Sequence, residues 1–262
     1  GTVAAGLRLK AAVDRPNLLI KVPATAAGLI AIERLVGAGV SVNVTLMFSL
    51  AHVDAVAAAY MRGLEQLRAS GGNVGAMMSV ASLFLSRIDT LVDKQLDEIG
   101  GDALALRGKS AVATAKLAYR RYLERFHGPA FAALRAAGAR PQFMLWASTG
   151  TKNPAYSDLL YVEPLIGAET VNTLPDATLD ALRDHGRVAS TLEEDVEQAA
   201  QHFVALAAAG IATTVQYTIG GTLRYRQDGF EVAVPLAAAP ITVYPLPQLV
   251  LDYFHQRDVY SD

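Results

Sequence analysis

The pattern that most constrains this chain is a repeated alternation of short β-type runs with longer amphipathic helical stretches. Strands that follow one another this way must lie parallel, because a helix returns the chain to the same edge each time. Apolar runs over 18–22, 40–46, 75–82, 143–147 and 168–172 read as strands. Helical spacing is expected over 26–36, 50–67, 88–99, 110–125 and 129–137, and from 176 to near 186. Thr25 and Ser49 stand where N-caps belong, and Gly37 and Gly71-Gly72 where helices stop. Thr191-Leu192-Glu193-Glu194 reads as a capping box for a helix reaching about 209. Past Gly210 the helical pattern stops, so 1–210 and a tail of unassigned structure over 211–262 are treated apart.

The expected fold class is α/β, as a (β/α)8 barrel. Such a barrel needs eight strands and about five are visible, so this chain is expected to hold about the last five strands of an incomplete barrel. At about 30 residues per unit, roughly 90–100 residues would precede Gly1. The opening Gly1-Thr2-Val3-Ala4 fits that expectation, having neither an initiator methionine nor a secretory signal. The alternative is an open doubly wound sheet. Its first βα turn should carry a glycine-rich phosphate loop, and Pro23-Ala24-Thr25-Ala26-Ala27-Gly28 is not one.

Composition removes several function classes. A formal net charge of −2 gives no electrostatic footprint for nucleic acid or anionic lipid. With no cysteine in 262 residues, a disulfide framework, a thiolate nucleophile and a cysteine-based zinc site are excluded, which is compatible with a cytoplasmic protein. His52, His127, His185, His202 and His255 lack metal-type spacing and are expected on solvated helices or loops. The run over 232–250 carries no charge, but Pro235, Pro240, Pro245 and Pro247 argue against a membrane-spanning helix.

Lys21 is the anomaly. It sits inside Leu18-Leu19-Ile20-Lys21-Val22-Pro23-Ala24-Thr25, where a buried ammonium would be costly unless paired or deprotonated. A neutral lysine amine is a nucleophile toward carbonyls. The competing reading is an edge-strand lysine that snorkels to solvent. Strand alternation puts Lys21 and Leu19 on one face and Leu18, Ile20 and Val22 on the other. On the next strand Asn43 and Thr45 share a face, with Val42, Val44 and Leu46 opposite; on the fourth, Met144, Trp146 and Ser148 lie together. Thr45, Ser82, Ser148, Thr149 and Lys152 gather at strand C-terminal ends, where barrel enzymes place their chemistry.

These residues carry a family resemblance. Ile20-Lys21-Val22-Pro23-Ala24-Thr25 followed by Val42-Asn43-Val44-Thr45-Leu46-Met47-Phe48-Ser49 resembles the transaldolase signature. Ser82-Leu83-Phe84-Leu85-Ser86-Arg87-Ile88-Asp89 is similar to that family's next active-site strand. Trp146-Ala147-Ser148-Thr149-Gly150-Thr151-Lys152-Asn153-Pro154 resembles its longer bacterial branch, as do Leu160-Tyr161-Val162-Glu163 and Val171-Asn172-Thr173-Leu174-Pro175. That branch also occurs fused to glucose-6-phosphate isomerase. The resemblance covers about 14–210.

It implies a (β/α)8 barrel that transfers a dihydroxyacetone unit between sugar phosphates in the pentose phosphate pathway. Lys21 matches the Schiff-base lysine and Thr45 the threonine that positions a catalytic water. Asn43 and Ser82 match substrate contacts, and Arg87, Ser148 and Lys152 match or lie near phosphate-binding positions. Sugar phosphates are the implied partners, with no nucleic acid, no membrane, no metal and no organic cofactor; oligomeric state is not legible.

Two departures accompany the resemblance. The family's acid/base aspartate and its proton-moving glutamate lie on strands expected ahead of Gly1. Asp14 is read as a loop residue and Asp89 as a structural acid at a helix start, and 217–262 do not match the family's C-terminal segment. The competing functions are a class I aldolase-type lyase, and a barrel fragment without catalytic competence.

Overall fold

A computed structural model describes residues 1–211 in full and the backbone of two strands over 215–227 and 230–243. The chain opens with helix α1 (Thr2–Val13), then β1 (Ile20–Pro23), α2 (Ala26–Gly37), β2 (Val42–Met47) and α3 (Leu50–Ala69). Next come β3 (Ser79–Phe84), α4 (Ser86–Ile99), α5 (Ser110–Phe126), a short α6 (Ala132–Ala136) and β4 (Phe143–Ala147). β5 (Thr170–Asn172), α7 (Asp176–His185) and α8 (Val196–Ala208) follow. Strands β6 (Val215–Gln227) and β7 (Phe230–Val243) then pair antiparallel. Residues 212–214, 228–229 and 244–262, all within the stretch expected as a tail of unassigned structure, lie outside the described residues.

β1 to β5 form one parallel sheet in sequence order. One face is apolar and closed: Val22, Val42, Val44, Leu83 and Trp146 are almost fully buried in a core shared with the helices. α2 packs on α3, α3 and α4 on α5, and α5 on α8. This is the near-continuous burial expected of parallel strands under a helical layer. The opposite face carries Lys21, Asn43, Thr45, Val80 and Ser82, set side by side by the register Lys21↔Asn43↔Val80. That sheet is not closed among the described residues; β1 and β5 are its edges.

The caps at Thr25 and Ser49 form as expected, accepting from the Gly28 N–H at 3.0 Å and the His52 N–H at 3.2 Å. The structure departs from the sequence reading at four points. α1 carries no strong apolar stripe and buries only Gly6, so periodicity does not announce it. The third strand begins at Ser79 rather than 75, because Val74–Ala76 coils into a short 3-10 turn capped by Asn73. The capping box at Thr191 does not form. Thr191 instead donates its hydroxyl to the Glu163 carbonyl, its N–H goes to the Ile166 carbonyl at 3.1 Å, and the helix starts at Val196.

The fourth concerns alternation itself. A bulge between Val44 and Met47, with Leu46 at φ 60, returns Met47 to the apolar face opposite Leu83. Leu46 therefore does not continue the row of Val42 and Val44. No helix among the described residues is long and apolar enough to cross a membrane. The uncharged run over 232–250 is partly strand β7, and 244–250 lie outside the described residues.

Candidate active site

The polar face of the sheet gathers most of the candidate residues. Lys21 and Asn43 are lateral neighbours on β1 and β2, and Pro23↔Thr45 is the next pair but one toward the C-terminal end. Ser82 on β3 donates to the Asn43 side-chain oxygen at 3.0 Å, leaving the Asn43 amide N–H groups for a ligand. Thr45 and Ser82 are buried and Asn43 is half-buried, so this row is held rigidly by the sheet.

Lys21 itself departs from the burial argument. It is exposed, because the face it shares with Asn43 is open and β1 is an edge strand. Among the described residues no carboxylate pairs with it. The apolar run around Lys21 reports burial of its neighbours Ile20 and Val22, on the other face, and not of the ammonium.

A second group lies past the C-terminal ends of β3 and β4. The Leu85 and Ser86 N–H groups donate to the Ala147 and Ser148 carbonyls at 2.9 and 3.0 Å, tying the start of α4 to the end of β4. Ser148 has φ 55, an uncommon backbone state for a residue other than glycine. It therefore does not extend the row of Met144 and Trp146, which are buried on the helical face; the Trp146 indole donates to the Leu165 carbonyl at 3.0 Å. The Ser148 and Ser86 hydroxyls lie 2.8 Å apart. Half-buried Arg87 begins α4 with its guanidinium carbon 5.2 Å from the centre of the Phe84 ring. Lys152 is exposed on the loop after β4, and no hydrogen bond joins it to the other candidates. Thr149 is fully buried and donates to the Thr173 carbonyl at 3.1 Å, which is a structural use.

Ser86 is the residue that sequence reasoning missed. Its one signal was its place beside Arg87 at a helix start. Asp89 is buried, accepting from the Ala111 N–H at 2.8 Å and the Tyr161 hydroxyl at 2.9 Å, in keeping with a structural acid. Burial raises its carboxyl to about 6.

The histidines are less solvated than expected. His202 is buried against the Ser110 hydroxyl at 2.9 Å, and burial lowers it to about 4. His52 is half-buried, its ring nitrogen accepting from the Phe48 N–H; His127 and His185 are exposed, and His255 lies outside the described residues. Among the described residues no three histidine or acidic side chains are grouped to hold a metal ion. A cavity of about 670 Å³ opens between α5 and α8, lined in part by Lys109, Lys116, Glu163 and His202; none of the candidate site residues borders it. The candidate residues therefore lie on the open polar face and the β3–β4 rim, away from that cavity.

This arrangement, one lysine among neutral polar groups beside an arginine-bearing rim, meets comparison with known proteins directly. The family model described as transaldolase/fructose-6-phosphate aldolase matches residues 1–221. The chain belongs to the transaldolase/fructose-6-phosphate aldolase family. The match extends beyond the 14–210 legible in the motifs alone. The transaldolase of Thiobacillus denitrificans is 59% identical over 212 residues, 80% of this chain and 59% of that protein. The transaldolase of Mycolicibacterium smegmatis is 50% identical over 212 residues, 80% of this chain and 57% of its own length. That of Neisseria gonorrhoeae is 46% identical over 244 residues, 92% of this chain and 66% of its own. The chain thus spans under two thirds of the curated relatives it matches. Membership in the transaldolase family makes the open five-stranded sheet an incomplete (β/α)8 barrel and excludes the doubly wound alternative.

Proposed function

We propose that this chain carries the Schiff-base centre of a transaldolase, with Lys21 as the nucleophile. The observation that supports it best is the lateral pair Lys21–Asn43 on the open polar face of the sheet, backed by Ser82 at 3.0 Å. The neutral Lys21 amine attacks the ketone carbon of fructose 6-phosphate or sedoheptulose 7-phosphate, and loss of water gives an iminium. That iminium accepts the electron pair of the carbon–carbon bond as it breaks. An aldose phosphate leaves and an enamine of dihydroxyacetone stays on Lys21 until an acceptor aldose takes it.

Asn43 and Ser82 supply neutral hydrogen bonds to the sugar hydroxyls, and Thr45 positions the water exchanged at the carbinolamine. Arg87, Ser148 and Lys152 hold the phosphate, the guanidinium offering a planar fork that suits its oxygens. A cytoplasmic setting fits the absence of cysteine.

Borohydride reduction in the presence of fructose 6-phosphate tests this reading. A stable adduct mapped by mass spectrometry to Lys21, and absent from Lys21→Ala, is the expected result. A folded chain that gives no adduct leaves a non-catalytic barrel segment. The aldolase-type alternative has support in the family description itself, which spans both activities. It predicts release of dihydroxyacetone from fructose 6-phosphate without an acceptor aldose, which chromatography of the products would reveal.

A further inference from the structure

Ser148 leaves β4 with φ 55, and Ser86 bonds to it twice: the Ser86 N–H donates to the Ser148 carbonyl at 3.0 Å, and the two hydroxyls meet at 2.8 Å. A left-handed non-glycine residue persists only where its surroundings over-determine it, and such positions cluster at ligand clamps. The direction of the hydroxyl–hydroxyl bond follows from burial. Ser86 is 1% exposed, and among the described residues its hydroxyl has no partner other than Ser148. A hydroxyl owns one hydrogen. If Ser148 donated, the Ser86 hydrogen would be buried without an acceptor, which is the costlier arrangement. Ser86 therefore donates, and half-buried Ser148 keeps its own hydrogen for something outside the protein.

Arg87 follows Ser86 in the chain, and a ligand that both accepts a hydrogen from Ser148 and suits a guanidinium is an oxyanion. We propose that Ser86 is a positioning residue of the phosphate seat: it fixes the Ser148 hydroxyl with the hydrogen aimed at a bound phosphoryl oxygen. This rests on the reading of Ser148 as a phosphate ligand. The shared chemistry is a phosphate dianion, either free or as the end of a sugar phosphate.

Two measurements on the wild type, Ser86→Ala and Ser86→Cys separate these. Inorganic phosphate is titrated by phosphorus NMR, and borohydride trapping at Lys21 is followed with fructose 6-phosphate and with dihydroxyacetone. The cysteine variant keeps nearly the size of serine while offering a far weaker donor, so it guards against an alanine variant that does not fold. Both variants are expected to bind inorganic phosphate about five- to tenfold more weakly, the size of one lost hydrogen bond. The half-saturating fructose 6-phosphate concentration should rise by the same factor, with dihydroxyacetone trapping unchanged.

Unchanged phosphate affinity in a folded variant overturns the proposal, as does equal loss with both ketones, which marks a merely structural role. A wild type that binds no phosphate also overturns it. Phosphate binding that depends on Ser86, with no adduct at Lys21, supports the seat and strikes instead at the transaldolase reading.

Discussion

At Gly28 the absence of one methyl group holds α2 against the end of β1. A Cβ there would collide with the Pro23 carbonyl oxygen, and the Gly28 N–H is the one that caps onto Thr25. Pro23 pairs with Thr45, so a shove at Gly28 is felt at the site. Gly28→Ala should cost about 2–3 kcal/mol through backbone displacement, whereas Thr25→Ala should cost only about 1 kcal/mol, a lost cap. Urea unfolding of the two variants checks the order, and equal losses would refute it. Sequence alone shows Thr25 as a cap but gives no sign that Gly28 is sterically required, because the colliding atom belongs to the preceding strand.

At the scale of the element, α4 joins the site to the frame. Its first turn carries Ser86 and Arg87; one turn in, Asp89 takes the Ala111 N–H and the Tyr161 hydroxyl. Asp93 takes the Gly108 N–H at 2.9 Å and the Tyr156 hydroxyl at 2.6 Å. Both tyrosines come from the connection between β4 and β5, so two buried carboxyls clamp the loop that bears Lys152. Burial, helped by neighbouring Asp93, lifts Asp89 to about 6 from an ordinary 3.8, against the opposing pull of the Ala111 and Tyr161 hydrogen bonds.

A carboxyl whose folded value is raised binds its proton more tightly when folded. Its contribution to stability is full below about pH 4 and is lost as pH rises through about 6. The loss is on the order of 2–3 kcal/mol. Relative to wild type, Asp89→Asn should therefore gain stability above pH 6 and lose that advantage near pH 4. Denaturation midpoints across pH 4–8 would show it; a difference that does not vary with pH would dismiss it.

At the scale of the whole molecule, the polar face of the sheet is open and Lys21 is exposed on edge strand β1. Carbinolamine dehydration and carbon–carbon cleavage both need a positioned acid or base, worth about 10²–10⁴ in rate. Among the described residues none of the carboxylates bonds to Lys21 or Thr45. This chain should accordingly form a reducible Schiff base with fructose 6-phosphate while transferring the three-carbon unit to erythrose 4-phosphate at least about a hundredfold more slowly than one of the full-length relatives. Comparable turnover by the two proteins would show that an acid/base group on this chain serves the reaction.

Local rules in the sequence determined the five strands, most of the helices and the order of the motifs, because caps, periodicity and apolar runs act over a few residues. They also placed Lys21, Asn43 and Thr45 on one face of a parallel sheet, and Thr45, Ser82 and Ser148 toward the C-terminal ends of its strands. What they could not decide needs neighbours from other elements. The exposure of Lys21 depends on which face the helices cover. The bulge after Val44 and the left-handed Ser148 depend on the strands beside them. Thr191 gave up its capping role for a carbonyl far away in sequence, and Ser86 acquired a partner 62 residues on. A hydroxyl has no periodicity; only the tertiary structure decides what it touches.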